Sequence, residues 1–415
     1  MRWITALRVA SRHLTSRAIQ TFSVVSVVAF SVGLAVALFL LTQGLRLGLI
    51  RAVEPFELIV GAKGSPYQLV LNTVFLQDVP VGNISWEDYS ALSNDARAAF
   101  AVPLGFGDSY RGYPVVGTTS GILNIRVRPS DPPWLRICEG RWFAGEGGED
   151  REGEDHEGEE FEAVLGAHAA VGSGLRVGDV FQTAHGIAGG GGHDEKYRVV
   201  GIAETVRGPY DRAVFVPLEA LWEAHRSSDP LRRREATAIL VHPRSYTDAY
   251  GLAVSLQGSA GMQSVFPAQT AVRLFSLMGR GEAFLSLVVY AVGGCALLTT
   301  LLVLYWLGAA RGRERALLHV LGVPRKTLVL ISWMEGTITL LAGSFLGELL
   351  GRAGAWAAFS LLDRTTALSP AAPLTPQECL APLVLLSTGS LSVLAVAWGD
   401  ARAEARQERL SLYRA

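Results

Sequence analysis

The sequence predicts an α-helical membrane protein with four transmembrane helices, arranged one plus three, and a large mixed α+β extracytoplasmic domain inserted between the first and second spans. Three observations predict it. Long stretches carry no charged side chain, Lys and Arg gather in particular flanks of those stretches, and residues 46–282 alternate strand-like with helix-like patterns. Of the 415 residues, 49% are apolar and 18% charged, below the ~25% charge usual in soluble domains. With a mean hydropathy of +0.28, this composition excludes disorder of the whole chain. A net charge of -1 gives no case for a nucleic-acid partner. Cys138, Cys295 and Cys379 lie too far apart in sequence to suggest a disulfide framework or a zinc-finger spacing.

Residues 18–45, 283–310 and 379–399 contain no Asp, Glu, Lys or Arg, and each run reaches the ~20 residues a helix needs to cross the hydrocarbon core. A fourth run, 327–350, is long enough but holds Glu335 and Glu348. Buried core helices are the alternative, and runs of this length and purity argue against them. A secretory signal at the first span is disfavoured by its long apolar run and by the lack of a small-residue cleavage pattern after it. Orientation follows from basic residues in the short flanks. Arg2, Arg8, Arg12 and Arg17 precede the first span, Arg311, Arg313, Arg315, Arg325 and Lys326 lie between the second and third, and Arg402, Arg406, Arg409 and Arg414 follow the fourth. The outer loop 351–378 holds only Arg352 and Arg364. Both termini (1–17 and 400–415) and the 311–326 connection are therefore expected in the cytoplasm, with 46–282 outside.

At 100° per residue, Trp3, Ile4, Leu7, Ala10 and Leu14 share one side of a helix over 1–17, with the arginines opposite. Such a helix suits the inner headgroup layer. In the inserted domain, Glu57–Val60 reads as a strand and Pro66–Phe75 as a short helix. Ser85 is a plausible N-cap followed by Glu87 and Asp88 in the first turn. Strands are expected over Phe100–Leu104, Val115–Gly117, Tyr197–Ala203, Ala213–Val216 and Thr237–Val241. Ala163–Ala170 reads as a helix, with a turn at 172–179 leading to a strand at Val180. Interspersed strands and helices give a mixed α+β domain.

Two stretches read as flexible insertions. Residues 146–162 carry ten acids against one Arg, so they repel one another and have little to bury. Residues 188–195 centre on Gly189–Gly192. His156, His185 and His193 lie in or beside them, with acids nearby. A metal-sensing or metal-delivery role is weighed against solvated loops; the irregular spacing does not match the defined geometry of a tight site.

Between the second and third spans, Leu317, Leu318 and Leu321 recur at helical spacing within a basic segment. Gly322 suits the left-handed closing position, and Pro324 the first turn of the next helix. The segment is either a hairpin held by anionic lipid or a lever pushed by a soluble partner. In the third span, Gly343, Gly347 and Gly351 repeat every four residues, which allows close backbone approach to another helix. Glu335 lies about two turns inside the cytoplasmic edge. No ionisable group is visible in another span to form a relay with it, so a buried contact at a helix interface is expected. The sequence lacks G-x-x-x-x-G-K-[ST], H-E-x-x-H and G-x-S-x-G, which removes the phosphate loop, zincin and hydrolase elbow. The chain is not expected to be an enzyme.

Arg313-Glu-Arg-Ala-Leu-Leu-His-Val-Leu-Gly-Val-Pro-Arg325, followed by Glu335 and the glycine ladder, resembles the corresponding region of FtsX-like, MacB-type ABC transporter permeases. Leu165-Gly166, Leu175-Arg-Val-Gly-Asp179, Val199-Val-Gly-Ile202 and Val214-Phe-Val-Pro-Leu218 resemble the outer-domain pattern of that family. The acidic 146–162 stretch and Glu348 depart from it. The resemblance implies a multi-pass protein of the bacterial cytoplasmic (inner) membrane. It implies a pair of permeases, two identical copies or one with a close relative, bound to two ABC ATPase subunits that hold the ATP and Mg, with no cofactor bound by this chain itself. The 311–326 helix would couple to the ATPase through Arg313, Glu314, Arg315, Leu317, Leu318, Leu321 and Gly322. Mechanical transmission to the outer domain would then export or extract a lipophilic or peptide-like cargo, with or without a periplasmic adaptor. The alternatives are a non-transporting regulator that activates an external enzyme such as a cell-wall hydrolase, and a metal-uptake permease.

Overall fold

The computed structural model describes residues 2–77, 79–144, 161–185, 192–224, 234–259, 261–277 and 317–366, with scattered positions over 287–306 and 390–402. The chain divides into two units, one built on residues 1–44 and 281–360 and the other on 45–280.

In the first unit, α1 (Arg2–Ser16) is separated from α2 (Ala18–Val53) by the single residue Arg17. At 1.5 Å per residue α2 is ~54 Å long, well beyond a ~30 Å hydrocarbon core. Helix α9 (Arg325–Thr366) is longer still. These are the two described helices long and apolar enough to cross a membrane. The expected boundary at 350 does not end α9, which runs on through 351–366, the first part of the expected outer loop. That stretch has no proline and is rich in Ala and Leu, good helix formers. Arg352 also donates to Glu348 Oε1 at 2.7 Å one turn below it. The expected spans 283–310 and 379–399 lie mostly outside the described residues; the positions described within them are helical.

In the second unit, ten described strands join one sheet in the order β12-β1-β11-β3-β4-β9-β6-β8-β5, with β7 bridging β3 and β8. Here β1 is Leu58–Ala62, β3 Ala98–Tyr110, β4 Tyr113–Thr118, β5 Ile137–Gly140, β6 Phe161–Leu165, β7 Val180–His185, β8 Gly192–Ala203, β9 Val214–Pro217, β11 Ala238–Pro243 and β12 Met262–Val265. The bridge closes β3-β4-β9-β6-β8-β7 into a ring. Val115, Leu165, Phe181, Tyr197, Val199 and Val214 of that ring belong to one buried cluster. A small pair, β2 (Ile84–Ser85) with β10 (Glu235–Ala236), stands apart.

Helices α3 (Pro66–Thr73), α4 (Trp86–Ser93), α5 (Ala167–Ser173), α6 (Leu218–Ala224), α7 (Tyr246–Gln257) and α8 (Pro267–Leu277) flank the sheet. Ser65 and Ser85 cap α3 and α4, their hydroxyls accepting from Gln68 and Asp88 N–H. These satisfy donors that a helix start otherwise leaves open.

The expected helix over 163–170 is corrected. Residues 163–165 are the inner end of β6, fully buried, and the helix starts only after Gly166. Alternation is invisible there because β6 is covered on both faces. The glycine stretch expected to be loop over 188–195 is strand from Gly192 onward. Phe161 and Glu162, placed in the acidic insertion, belong to β6, where Glu162 pairs with Arg141 and accepts from Ala144 N–H at 2.7 Å. The remainder of both insertions lies outside the described residues.

Candidate functional site

The foot of α9 is a short helical segment, 317–320, closed by a tight turn. Val323 N–H donates to Leu318 O at 3.1 Å and Gly322 N–H to His319 O at 2.9 Å, with Gly322 at φ +90°. This pair of bonds is the Schellman closure, and only glycine adopts that φ without strain. His319 Nδ1 adds a bond to Val323 O at 3.1 Å. Leu317, Val320 and Leu321 are 64%, 84% and 72% exposed, while Leu318 is half-buried. Three large apolar side chains stand in the open beside a rigid turn and form a compact apolar knob. Arg313, Glu314 and Arg315 lie outside the described residues.

Above this foot, α9 packs along α2. A Cβ placed on Gly343 would come 2.7 Å from Val28 Cβ; one on Gly347, 2.7 Å from Ala29 O; one on Gly351, 2.7 Å from Gly33 O. The ladder is therefore a line of close backbone approach with Val28 and Val32 packed into it, extended by Leu340 below and by Leu40, Ala355 and Phe359 above. Residue numbers rise together along both helices, so α2 and α9 are parallel. Trp333 Nε1 donates to Ser390 Oγ at 3.0 Å. Glu335, 2% exposed, lies 2.7 Å from His13 Nδ1 of α1, where Ala6 and Ala10 pack against Ile331. The amphipathic side read for α1 thus divides: Ala10 and Leu14 are buried, whereas Trp3, Ile4 and Leu7 are exposed.

In the second unit, the last residues of α2 enter the domain core. Ala52, Val53 and Phe56 are buried with Ile59 and Val102. Phe56 meets Trp134 edge-on at 5.2 Å and Tyr210 at 5.6 Å between ring centres, contacts that add to simple burial. Tyr210 OH donates to Thr73 O at 2.7 Å, and burial pushes its phenol pKa up. Beside it Asp211 accepts from Val206 N–H at 2.7 Å and Thr205 Oγ at 2.8 Å. Burial raises its pKa, with those bonds opposing. The outer end of α2 is thus clamped by aromatic rings into a hydrogen-bonded loop. None of Phe56, Trp134, Tyr210 and His13 is marked by a sequence motif. The only legible hint was that His13 continues the small-residue face of Ala6 and Ala10.

Among the described residues no three His, Cys, Asp or Glu side chains gather as a metal would require. His156 lies outside them, and His185 and His193 fall at the end of β7 and the start of β8.

Residues 21–264 match the family described as the MacB-like periplasmic core domain. That stretch runs from the first span through nearly the whole sheet and covers more than half of the chain. The chain belongs to this family. This MacB-like chain is an ABC-type transporter permease, embedded in a membrane with an extracellular domain, and its family implies an ATPase on a separate subunit. Among solved structures, the extracellular domain of YknZ, a noncanonic ABC-type transporter from Gram-positive bacteria, is similar at 14% identity and a TM-score of 0.30. The match covers 50% of this chain and 98% of that one. No curated protein matches the chain.

Proposed function

We propose that this permease converts ATP hydrolysis on a partner ATPase into movement of its extracytoplasmic domain, and that the movement exports or extracts a lipophilic or peptide-like cargo. The ATPase seats on the 311–326 segment, two ATPase copies serving two permease copies. The carrying observation is the parallel α2–α9 pair. Two helices in contact that both run outward need an odd number of crossings between them, which supports a returning span at 283–310. On this reading the exposed Leu317, Val320 and Leu321 lie on the same side as α1, at the foot of a helix packed along the one that enters the inserted domain. A push on the knob then has a rigid route upward. The chain supplies binding and transmission, while the ATPase supplies the chemistry.

The test is reconstitution of the full chain with its co-purifying ATPase in liposomes. Stimulation of ATP turnover by a lipidated peptide or a membrane-active peptide supports transport. Stimulation only by a cell-wall hydrolase replaces it with the regulator reading, and no dependence of turnover on the permease refutes both.

A further inference from the structure

A carboxylate with a side chain 3% exposed, about ten residues (~15 Å) up the helix from Arg325, is an expensive group to keep. A hydrophobic contact of similar volume would hold two helices at least as well, so a buried carboxylate set against His13, whose side chain is 37% exposed, is poor evidence for stability as such and better evidence for fixed register. Glu335 Oε1 sits 2.7 Å from His13 Nδ1, and the surroundings bring the two together. Ala6 (1% exposed), Ala10 (0%) and His13 fall on one face of α1 at i, i+4 and i+7, and the two alanines let α1 lie close on Ile331 with Leu330, Met334 and Ile338 alongside. Thr339 Oγ donates to the Glu335 carbonyl at 2.8 Å on the next turn.

The other end of α1 is equally constrained. One non-helical residue, Arg17, joins it to α2, and Thr21 bridges that joint twice. Its hydroxyl donates to Leu14 O at 3.0 Å, and its N–H donates to Arg17 O at 3.0 Å. So α1 is bound at one point to the lower part of α9 and at another to the start of α2. Among the described residues, the glycine ladder meets α2 from Val25 and Val28 upward, with Val24 and Trp333 packed beside it, while Ile19 and Phe22 on the inner turns of α2 are 84% and 72% exposed.

From this geometry we propose that His13 and Glu335 are the joint through which displacement of the foot of α9 is handed to α1 and, across the Arg17 elbow, to the inner end of α2. They are positioning residues: neither touches nucleotide or cargo. The inference rests on the coupling reading above and adds to the α2–α9 seam a second route, through α1, from the same foot.

The experiment uses the full chain in proteoliposomes with its co-purifying ATPase, with Cys138, Cys295 and Cys379 replaced by Ser. In one arm, Ala10→Cys with Ile331→Cys is cross-linked by a short bifunctional thiol reagent. Cross-linking is expected to be efficient with the pair intact, to fall in His13→Ala and Glu335→Gln, and to return in the exchange His13→Glu/Glu335→His, a rescue that simple loss of packing would not give. Unchanged cross-linking in both single variants would overturn the joint. In the other arm, a spin label at Ile19→Cys, an 84% exposed position at the inner end of α2, reports ATP-dependent change. The response is expected to disappear in His13→Ala and reappear in the exchange; a response that survives His13→Ala overturns the proposal. Absence of any ATP response in the otherwise unsubstituted protein would overturn the coupling reading itself, while the cross-link still decides whether the pair holds α1.

Discussion

The α2–α9 seam makes the sharpest quantitative demand. In Gly347→Ala the new Cβ would lie 2.7 Å from Ala29 O, 2.8 Å from Val32 Cβ and 3.1 Å from Gly33 N. Two of these three atoms are backbone and cannot rotate away. Carbon contacts are comfortable at ~3.5–4.0 Å, so the helices must part by several tenths of an ångström or more along the ladder. Overpacking of this kind costs about 1–3 kcal/mol, against about 1 kcal/mol returned by replacing glycine with alanine in a helix. Gly347→Ala should therefore lose about 0–2 kcal/mol net, and Gly351→Ala a similar amount, its Cβ meeting Gly33 O at 2.7 Å and Val36 Cβ at 2.8 Å. Gly354, three residues further up α9, has nothing among the described residues within 4 Å of its Cβ position. Gly354→Ala should be neutral or stabilising by up to about 1 kcal/mol. Thermal unfolding of the purified full chain in one detergent compares the three. Gly347→Ala melting at or above Gly354→Ala would refute the close-packed seam.

Three other expectations follow from single sites. Leu321→Glu, at a 72% exposed position on the foot of α9, should abolish co-purification of the ATPase or its permease-dependent turnover while the thermal midpoint of the permease stays unchanged; normal coupling would remove the knob from the account. Tyr210→Phe deletes the bond to Thr73 O and should cost about 1–2 kcal/mol in the same melting assay, since a buried acceptor loses its donor. Arg97 holds the Asp95 carboxyl down to about 2 from an ordinary 3.8. A lowered folded-state value means the contribution is complete above about pH 3.8 and is lost as the pH falls toward 2. Arg97→Gln should therefore flatten the acid dependence of stability over that window, and an unaltered slope would count against the pair.

Local signals served well where one residue type has one dominant physical use. Pro66 opening a short helix, Ser85 capping the next, Gly322 closing a helix and the four-residue glycine spacing in α9 each correspond to a feature of the structure. They failed where tertiary cover hides the period. In β6, Ala163, Val164 and Leu165 are buried on both faces and read as a helix start. Arg141 carbonyl crowds the Cβ position of Gly201 in β8, and that close strand approach, like the ring closed by β7, depends on residues distant in sequence. The same holds for the candidate site. The knob and ladder are local patterns, whereas the His13–Glu335 contact and the Phe56–Trp134–Tyr210 clamp join residues that no spacing rule pairs.

The claim beneath all of this is that the knob and the inserted domain lie on opposite faces of one membrane. In intact cells carrying a cysteine-free background, a membrane-impermeant maleimide should label Val171→Cys, 83% exposed in the inserted domain, and should reach Val320→Cys, 84% exposed beside the coupling turn, only after permeabilisation. Labelling of both positions before permeabilisation would contradict the account.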